Sequence, residues 1–288
     1  MSITAILFAF ASAAFLGAGV VTTQFGLRTV EPLSGTAISV PTFTLIFVLL
    51  SPFLLWGQPI VWRAVPFFAA VGLFFPAMLT ILTFASNRAL GPVVTSALGN
   101  LAPLFSVVAA VLILREPLRP AETAGLLVAV IGAVVTSVSR PRELGHWRTW
   151  ALLLPLTGAV LRGIAPPIVK IGLGIWPSPI AAGLIGYVVS AIILLIVQRI
   201  RTGRFTVKAP LEGRLWFALT GTCNGLAALT LYAAVQNGPI TLVAPLLATY
   251  PLVTVALSAL VLSHVRITPR LIAGTLVTVG GVVLVLAG

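Results

Sequence analysis

Ten apolar segments follow one another along this 288-residue chain, joined by short connections. Each is roughly the 20 residues that carry a helix across the ~30 Å hydrocarbon core of a bilayer. Lipid offers the backbone no hydrogen-bond partners, so such segments must pair their own N–H and C=O groups as helices. The expected fold class is therefore an all-α integral membrane protein. The expected spans are 3–27, 35–56, 64–87, 92–114, 120–138, 149–171, 177–198, 214–236, 239–262 and 268–287. Gly91-Pro92 and Gly238-Pro239 mark two of the starts, since a proline in the first helical turn sacrifices no hydrogen bond. Charged residues are only 8% of the chain, against about a quarter in soluble domains, and mean hydropathy is +1.16. Ala11-Ser12-Ala13 resembles a signal-peptidase site, but no Lys or Arg precedes it and the apolar run continues to Val21. It reads as part of a first span and not as a cleaved leader.

The charge balance is 17 basic to 5 acidic residues, all five acids being Glu. The basic residues fall almost wholly between the spans. Topology and anionic headgroups account for the net +12, and nucleic acid is not expected as a partner. Alternation places Arg28, Arg88, Arg140, Arg142, Arg148, Arg199, Arg201, Arg204, Lys208, Arg214, Arg266 and Arg270 on one side. The other side carries Arg63, Arg115, Arg119 and Lys170. The positive-inside rule puts the first group in the cytoplasm and both termini outside a cytoplasmic (inner) membrane. Trp56, Trp62, Trp147, Trp150, Trp176 and Trp216 fall near span ends and read as an interfacial belt. The lone Cys223 rules out an internal disulfide or a Cys-based zinc site, and it reads as a packing residue. No metal or other cofactor is expected.

The chain repeats itself. Gly17 and Gly26 match Gly163 and Gly172 at an offset of 146, and Gly91-Pro92 matches Gly238-Pro239 at 147. Phe84-Ala85 matches Tyr232-Ala233 and Pro103 matches Pro251 at 148. Gly125 and Gly132 match Gly274 and Gly281 at 149. The steady drift argues for duplication. The halves are 1–138 and 149–288, with a basic linker at 139–148. An odd five spans per half inserts the copies with opposite orientation. Inverted repeats are the usual build of secondary transporters, which bind substrate near the midplane.

The stretch from Gly91-Pro92 through Pro103 to Leu114-Arg115-Glu116-Pro117-Leu118, then Gly125 and Gly132, resembles the end of an EamA domain. A second copy runs from Gly238-Pro239 through Pro251 to Gly274 and Gly281. EamA-type proteins belong to the drug/metabolite transporter superfamily. The resemblance covers essentially the whole chain and implies a ten-helix carrier that moves small metabolites, often amino acids, outward. One departure stands out: where the first copy has Glu116, the second has Val265. An acid that merely anchors an interface would change little by its absence, whereas one that takes part in gating would make the halves gate unequally.

Among candidate site residues Arg162 is the sharpest. It lies near the middle of the sixth span, where a cation costs from ~3 kcal/mol upward, and no Glu lies in the interior of any span to pair with it. As a functional group it binds a substrate carboxylate or other anion. The alternatives are a later helix start, or bonds to backbone carbonyls. Pro166-Pro167 removes two backbone donors and marks a break or gating point beside the cation, or else a plain packing kink. Lys170 aligns with Gln24, and it either contacts substrate or snorkels to the interface. Gln24, Asn100 and Asn224 either line a cavity or bond across helices. Tyr187 and Tyr250 are cavity aromatics or packing residues. Gly274, Gly280 and Gly281 permit close helix packing, within one subunit or between two.

These residues point to a secondary transporter, an exporter of amino acids or related carboxylate-bearing metabolites working by alternating access. The expected partners are a small-molecule substrate, the lipid bilayer, and a coupling proton or counter-substrate left open. The first span lacks the carboxylate that small multidrug exporters of the superfamily use there, which argues against that route of cationic drug efflux. Multidrug or other small-molecule efflux remains the alternative reading. A membrane enzyme is disfavoured: there is no Asp, no His-Glu-x-x-His and no Gly-x-Ser-x-Gly, and His146 and His264 both lie in connections. Nothing resembles a channel filter, and no phosphate-binding loop points to a pump.

Overall fold

A computed structural model describes residues 2–137, 149–261 and 269–287. The basic linker at 139–148, with Arg140, Arg142, His146, Trp147 and Arg148, and the segment carrying His264, Val265 and Arg266 lie outside the described residues. The described chain is all-helical: α1 (Ile3–Gly26), α2 (Pro32–Leu54), α3 (Val65–Phe74), α4 (Ala77–Gly99), α5 (Ala102–Leu114), α6 (Pro120–Ser137), a 3-10 turn at Thr149–Leu152, α7 (Leu153–Ile175), α8 (Pro179–Thr202), α9 (Leu211–Asn237), α10 (Ile240–Leu247), α11 (Tyr250–Val261) and α12 (Pro269–Ala287). Seven segments are long and apolar enough to cross a membrane, two of them formed by consecutive helices, and shorter apolar helices accompany them. Leucines and phenylalanines such as Leu49, Phe53, Leu112 and Leu276 stay exposed on the outer faces. Such a surface suits lipid and not water.

Three expected spans are interrupted. The span 64–87 breaks at Phe75, whose extended backbone (φ −124°, ψ 122°) is the one a following proline imposes. The spans 92–114 and 239–262 break at Asn100-Leu101 and Ala248-Thr249, 148 residues apart. Both breaks follow one rule. Pro103 and Pro251 lack an N–H, so the carbonyls four residues earlier, at Gly99 and Leu247, lose their helical donors. Those residues are where α4 and α10 end. In both copies a three-residue turn closes the helix just before the break, Leu101 N–H donating to Leu98 O and Thr249 N–H to Leu246 O, each at 3.1 Å.

Two expected helix features are corrected. Gly91-Pro92 does not begin a helix, because α4 runs through it, whereas Gly238-Pro239 does separate α9 from α10. The reason is the free helix N-terminus that such a break creates. Glu116 caps α10 by accepting from the N–H groups of Ile240 (2.7 Å) and Thr241 (3.2 Å). Its counterpart in the other copy, Val265, carries no acceptor, and an uncapped N-terminus in lipid is costly. Pro166-Pro167 does not break its helix either, since α7 is continuous across both. The expected belt tryptophans differ in exposure. Trp56, Trp62 and Trp150 are exposed, but Trp176 is buried and Trp216 stacks on Phe25 at 4.5 Å.

The two copies pack by exchange. α1 lies against α9 and α11 while α7 lies against α4 and α5, and α6 pairs with α12. The repeated glycines sit at these contacts. A Cβ on Gly17 would come within 2.9 Å of the Tyr250 carbonyl and 2.8 Å of Val253. One on Gly163 would come within 2.8 Å of the Ala102 carbonyl and 2.5 Å of Phe105, the same contacts 148 residues earlier. Gly125 and Gly281 face each other between α6 and α12, so these glycines serve packing within the chain, while Gly280 faces open space. Replacing Gly17 or Gly163 by leucine should therefore destabilise the purified protein to a similar degree. About 1–3 kcal/mol is expected for each, read as a loss of thermal stability in detergent, while Gly280→Leu should leave stability nearly unchanged.

Candidate functional site

A cavity of about 520 Å³ lies between the two copies. Both helix breaks open onto it, through Gly99 and Asn100 on one side and Leu247 and Tyr250 on the other. The two breaks are joined across the cavity wall: Tyr250 Oη donates to Asn100 Oδ1 at 2.6 Å. Asn100 is 3% exposed, so this bond is made in a water-poor setting.

Arg162 sits nine residues into the 23-residue α7, with its side chain on the cavity and half-buried. It faces Tyr250 within electrostatic range. α7 starts at Leu153, a few residues later than expected, which still leaves Arg162 well inside it, and the guanidinium makes no hydrogen bond to a carbonyl among the described residues. No carboxylate among the described residues lines the cavity. The guanidinium thus brings five hydrogen-bond donors to a cavity wall on which no acid stands among the described residues.

Of the other candidates, Gln24, Asn100, Tyr187, Asn224, Tyr250 and Pro166 all line this cavity. Gln24 projects from α1, while Asn224 projects from α9 where Gly19 leaves room for its carboxamide. Tyr187 packs edge-on against Phe43, with centroids 5.5 Å apart, and beside Phe47 at 5.7 Å. Pro167 is fully buried behind the wall.

Lys170 is placed elsewhere. It does not line the cavity. Its Nζ donates to Glu116 Oε1 at 2.6 Å and to the Gly238 carbonyl at 2.7 Å. Glu116 Oε2 holds the N-terminus of α10 at the same time. The carboxylate therefore ties the end of α5 in one copy to α7 and α10 in the other. Proximity to a partner at the end of the fourth span, in the other copy, cannot be read from Lys170's place in the sequence.

Sequence reasoning passed over several wall residues. Tyr232 is buried at the cavity, and hydroxyls from Thr36, Thr80 and Thr83 line it. Each of these threonines donates to a carbonyl one turn earlier, Pro32, Pro76 and Leu79 respectively, at 2.8–3.1 Å. Their donors are thus spent, and they offer only acceptor lone pairs to a ligand. A threonine in a span looks the same in sequence whichever way it faces, so no signal marked them.

The comparisons with known proteins come in the same two halves. Residues 3–138 and 149–287 each match the model of the EamA-like transporter family. A solved structure described only as a crystal structure of a protein is similar over 99% of this chain and 96% of its own, with a TM-score of 0.82 and 18% identity. At that identity the likeness speaks to the fold alone. No curated protein matches the chain.

The clasp of Glu116, Lys170 and α10 yields a prediction. Glu116→Ala should cost more stability than Lys170→Ala, because it uncaps α10 as well as stranding the lysine. A double-mutant cycle on thermal or denaturant stability should give a coupling between the two of about 0.5–3 kcal/mol.

Proposed function

The chain belongs to the EamA-like transporter family, small-molecule carriers of the drug/metabolite transporter superfamily embedded in membranes, and from that premise we propose that it exports carboxylate-bearing metabolites, amino acids first among them. The observation that carries this reading is the guanidinium of Arg162. It is unpaired by any acid among the described residues and aimed into a cavity between two helix breaks. A carboxylate there makes charge-assisted, bidentate bonds in a setting where water competes weakly. The spent threonines around it present acceptors, which suits the ammonium of a zwitterion. The aromatic wall of Tyr187 and Tyr232 accommodates an apolar side chain. With no acid among the described residues lining the cavity, cationic drugs find no counter-charge.

The proposed mechanism is alternating access by two inverted five-span halves, ten spans in all, rocking about this site. The cavity extends to Leu27 and Pro32, at the connection that carries Arg28. On the positive-inside reading this is the cytoplasmic end. The opposite end is spanned by the bonds of Glu116 to Lys170, Ile240 and Thr241. This supports an inward-open state whose outer end is clasped. Release outward requires that clasp to part, while Gln24, the repeat counterpart of Lys170, lines the open end with no such partner.

The decisive test is ligand-induced thermal stabilisation of purified protein, which rises with saturation of a site present only in the folded state. Amino acids or organic acids should stabilise the wild type. In Arg162→Ala their affinity should fall by about 1.5–3 kcal/mol, ten- to hundredfold. Stabilisation by cationic drugs that survives or improves in Arg162→Ala would refute the anion site. Tyr250→Phe, which removes the bond to Asn100, should weaken the same ligands by about 0.5–1.5 kcal/mol.

A further inference from the structure

A second, smaller cavity of about 290 Å³ lies far from Arg162, between the first turn of α2 and the connection from α8 to α9. Its walls are Ser34, Gln198, Thr202, Arg204, Thr206 and the neighbouring Val207 and Lys208. We propose that it binds the phosphoryl-glycerol headgroup of an anionic phospholipid.

Three observations carry this. The first is an unmet acceptor. Gln198 is 3% exposed, and no hydrogen-bond donor reaches its Oε1. Its Nε2 is engaged at 3.3 Å by Thr202 Oγ1, whose own hydroxyl lies 2.9 Å from the Gln198 carbonyl and 3.1 Å from that of Arg204. A buried carbonyl oxygen without a donor is rare in a native fold and marks a place for one. The donor it calls for is a hydroxyl or an ammonium.

The second is charge. Arg204 and Lys208 border the same cavity, and neither is paired with an acid among the described residues. Arg199, Arg201 and Arg214 lie close in sequence, with Glu31 3.9 Å from Arg201. Two cations and hydroxyls suit a phosphate, and the local excess of positive charge favours a ligand that stays anionic overall. A phosphate ester with a free hydroxyl satisfies both ends, since its phosphate meets Arg204 and Lys208 and its hydroxyl meets Gln198 Oε1. Phosphoethanolamine would meet the acceptor too, but it brings no net charge.

The third is place. Ile200, Phe205, Leu211 and Leu215 are exposed around the same connection, at the end of the apolar α8. Arg199 lies over the Phe205 ring at 5.6 Å. Apolar side chains beside a basic polar pocket are the surroundings of a headgroup whose acyl chains continue into the bilayer. The chemistry of the pocket would equally hold soluble glycerol phosphate, and the apolar rim is what selects the lipid.

The test is native mass spectrometry of the full chain released from mixed micelles, with phosphatidylglycerol, phosphatidylcholine or soluble glycerol 3-phosphate as the probe. Phosphatidylglycerol should be retained at least tenfold over phosphatidylcholine. Retention should fall to the phosphatidylcholine level both in R204A/K208A and in Gln198→Leu, which changes no charge and removes the acceptor together with the Nε2 bond to Thr202. Arg162→Ala should not affect it, which separates this site from the transport site. Glycerol phosphate retained as tightly as the lipid would assign the pocket to a soluble organophosphate. Loss in R204A/K208A with full retention in Gln198→Leu would reduce it to a surface charge patch and overturn the proposal, as would equal retention of the two lipids. Elution at the wild-type volume on size exclusion keeps a misfolded variant from being read as lost binding.

Discussion

A peptide group left unpaired in hydrocarbon costs several kcal/mol, and every irregularity of this molecule is arranged around that cost. The chain gives up helical hydrogen bonds at Gly99 and Leu247, because Pro103 and Pro251 cannot supply them. In both places the irregular backbone opens on the cavity between the copies and not on lipid. The same logic governs α10. Its N-terminus exists because Glu116 caps it, and Glu116 is held because Lys170 neutralises it. Where the repeat puts valine in place of that acid, at Val265, the corresponding Gly91-Pro92 stays inside a continuous helix.

One acidic residue thus turns a duplicated sequence into an asymmetric machine. The exchange packing of the glycines shows how faithfully the two copies repeat each other. Gly17 meets the start of α11 as Gly163 meets the start of α5, residue for residue. The ends of the cavity do not repeat. At one end Lys170, Glu116 and the cap of α10 form a charged knot, while at the other Gln24 borders the open cavity. A carrier built of two equal halves would have no intrinsic bias between its two faces. Among the described residues the knot stands at one end only, and in the proposed alternating-access cycle it would bias the population toward the state closed at that end.

The polar groups divide into those that satisfy the fold and those that it leaves free. Most threonine hydroxyls bond the carbonyl one turn back, Lys170 serves the clasp, and Asn100 joins Tyr250. Arg162 and Gln198 stand apart: each is carried within a long helix, and each keeps a polar atom unmet by the protein around it. The first faces the cavity between the copies and the second borders the smaller cavity between α2 and the connection from α8 to α9. The same accounting of donors and acceptors therefore locates both candidate ligand sites.

Much of this was legible in the sequence. Span length and hydropathy fixed a helical membrane protein, because a backbone in lipid has so few solutions. The drifting repeat at Gly17/Gly163, Pro103/Pro251 and Gly125/Gly274 disclosed two copies, because close packing and helix breaks need particular residue types wherever they recur. Arg162 stood out for a reason of energy alone, the cost of a cation at mid-membrane. Other features depended on which residues meet, and linear order does not carry that. Lys170 reads as a free cation until Glu116 is placed beside it from another helix. Pro166-Pro167 reads as a break or a packing kink, and α7 runs through both prolines. Gly91-Pro92 and Gly238-Pro239 look alike in sequence and fold differently, because only one has an acid delivered to it by the opposite copy. The sequence by itself determined the medium, the repeat and the unpaired cation, all of which follow from composition and spacing. Only the tertiary structure decided which prolines break helices and which charges are spent, because both depend on the partner that packing brings to each group.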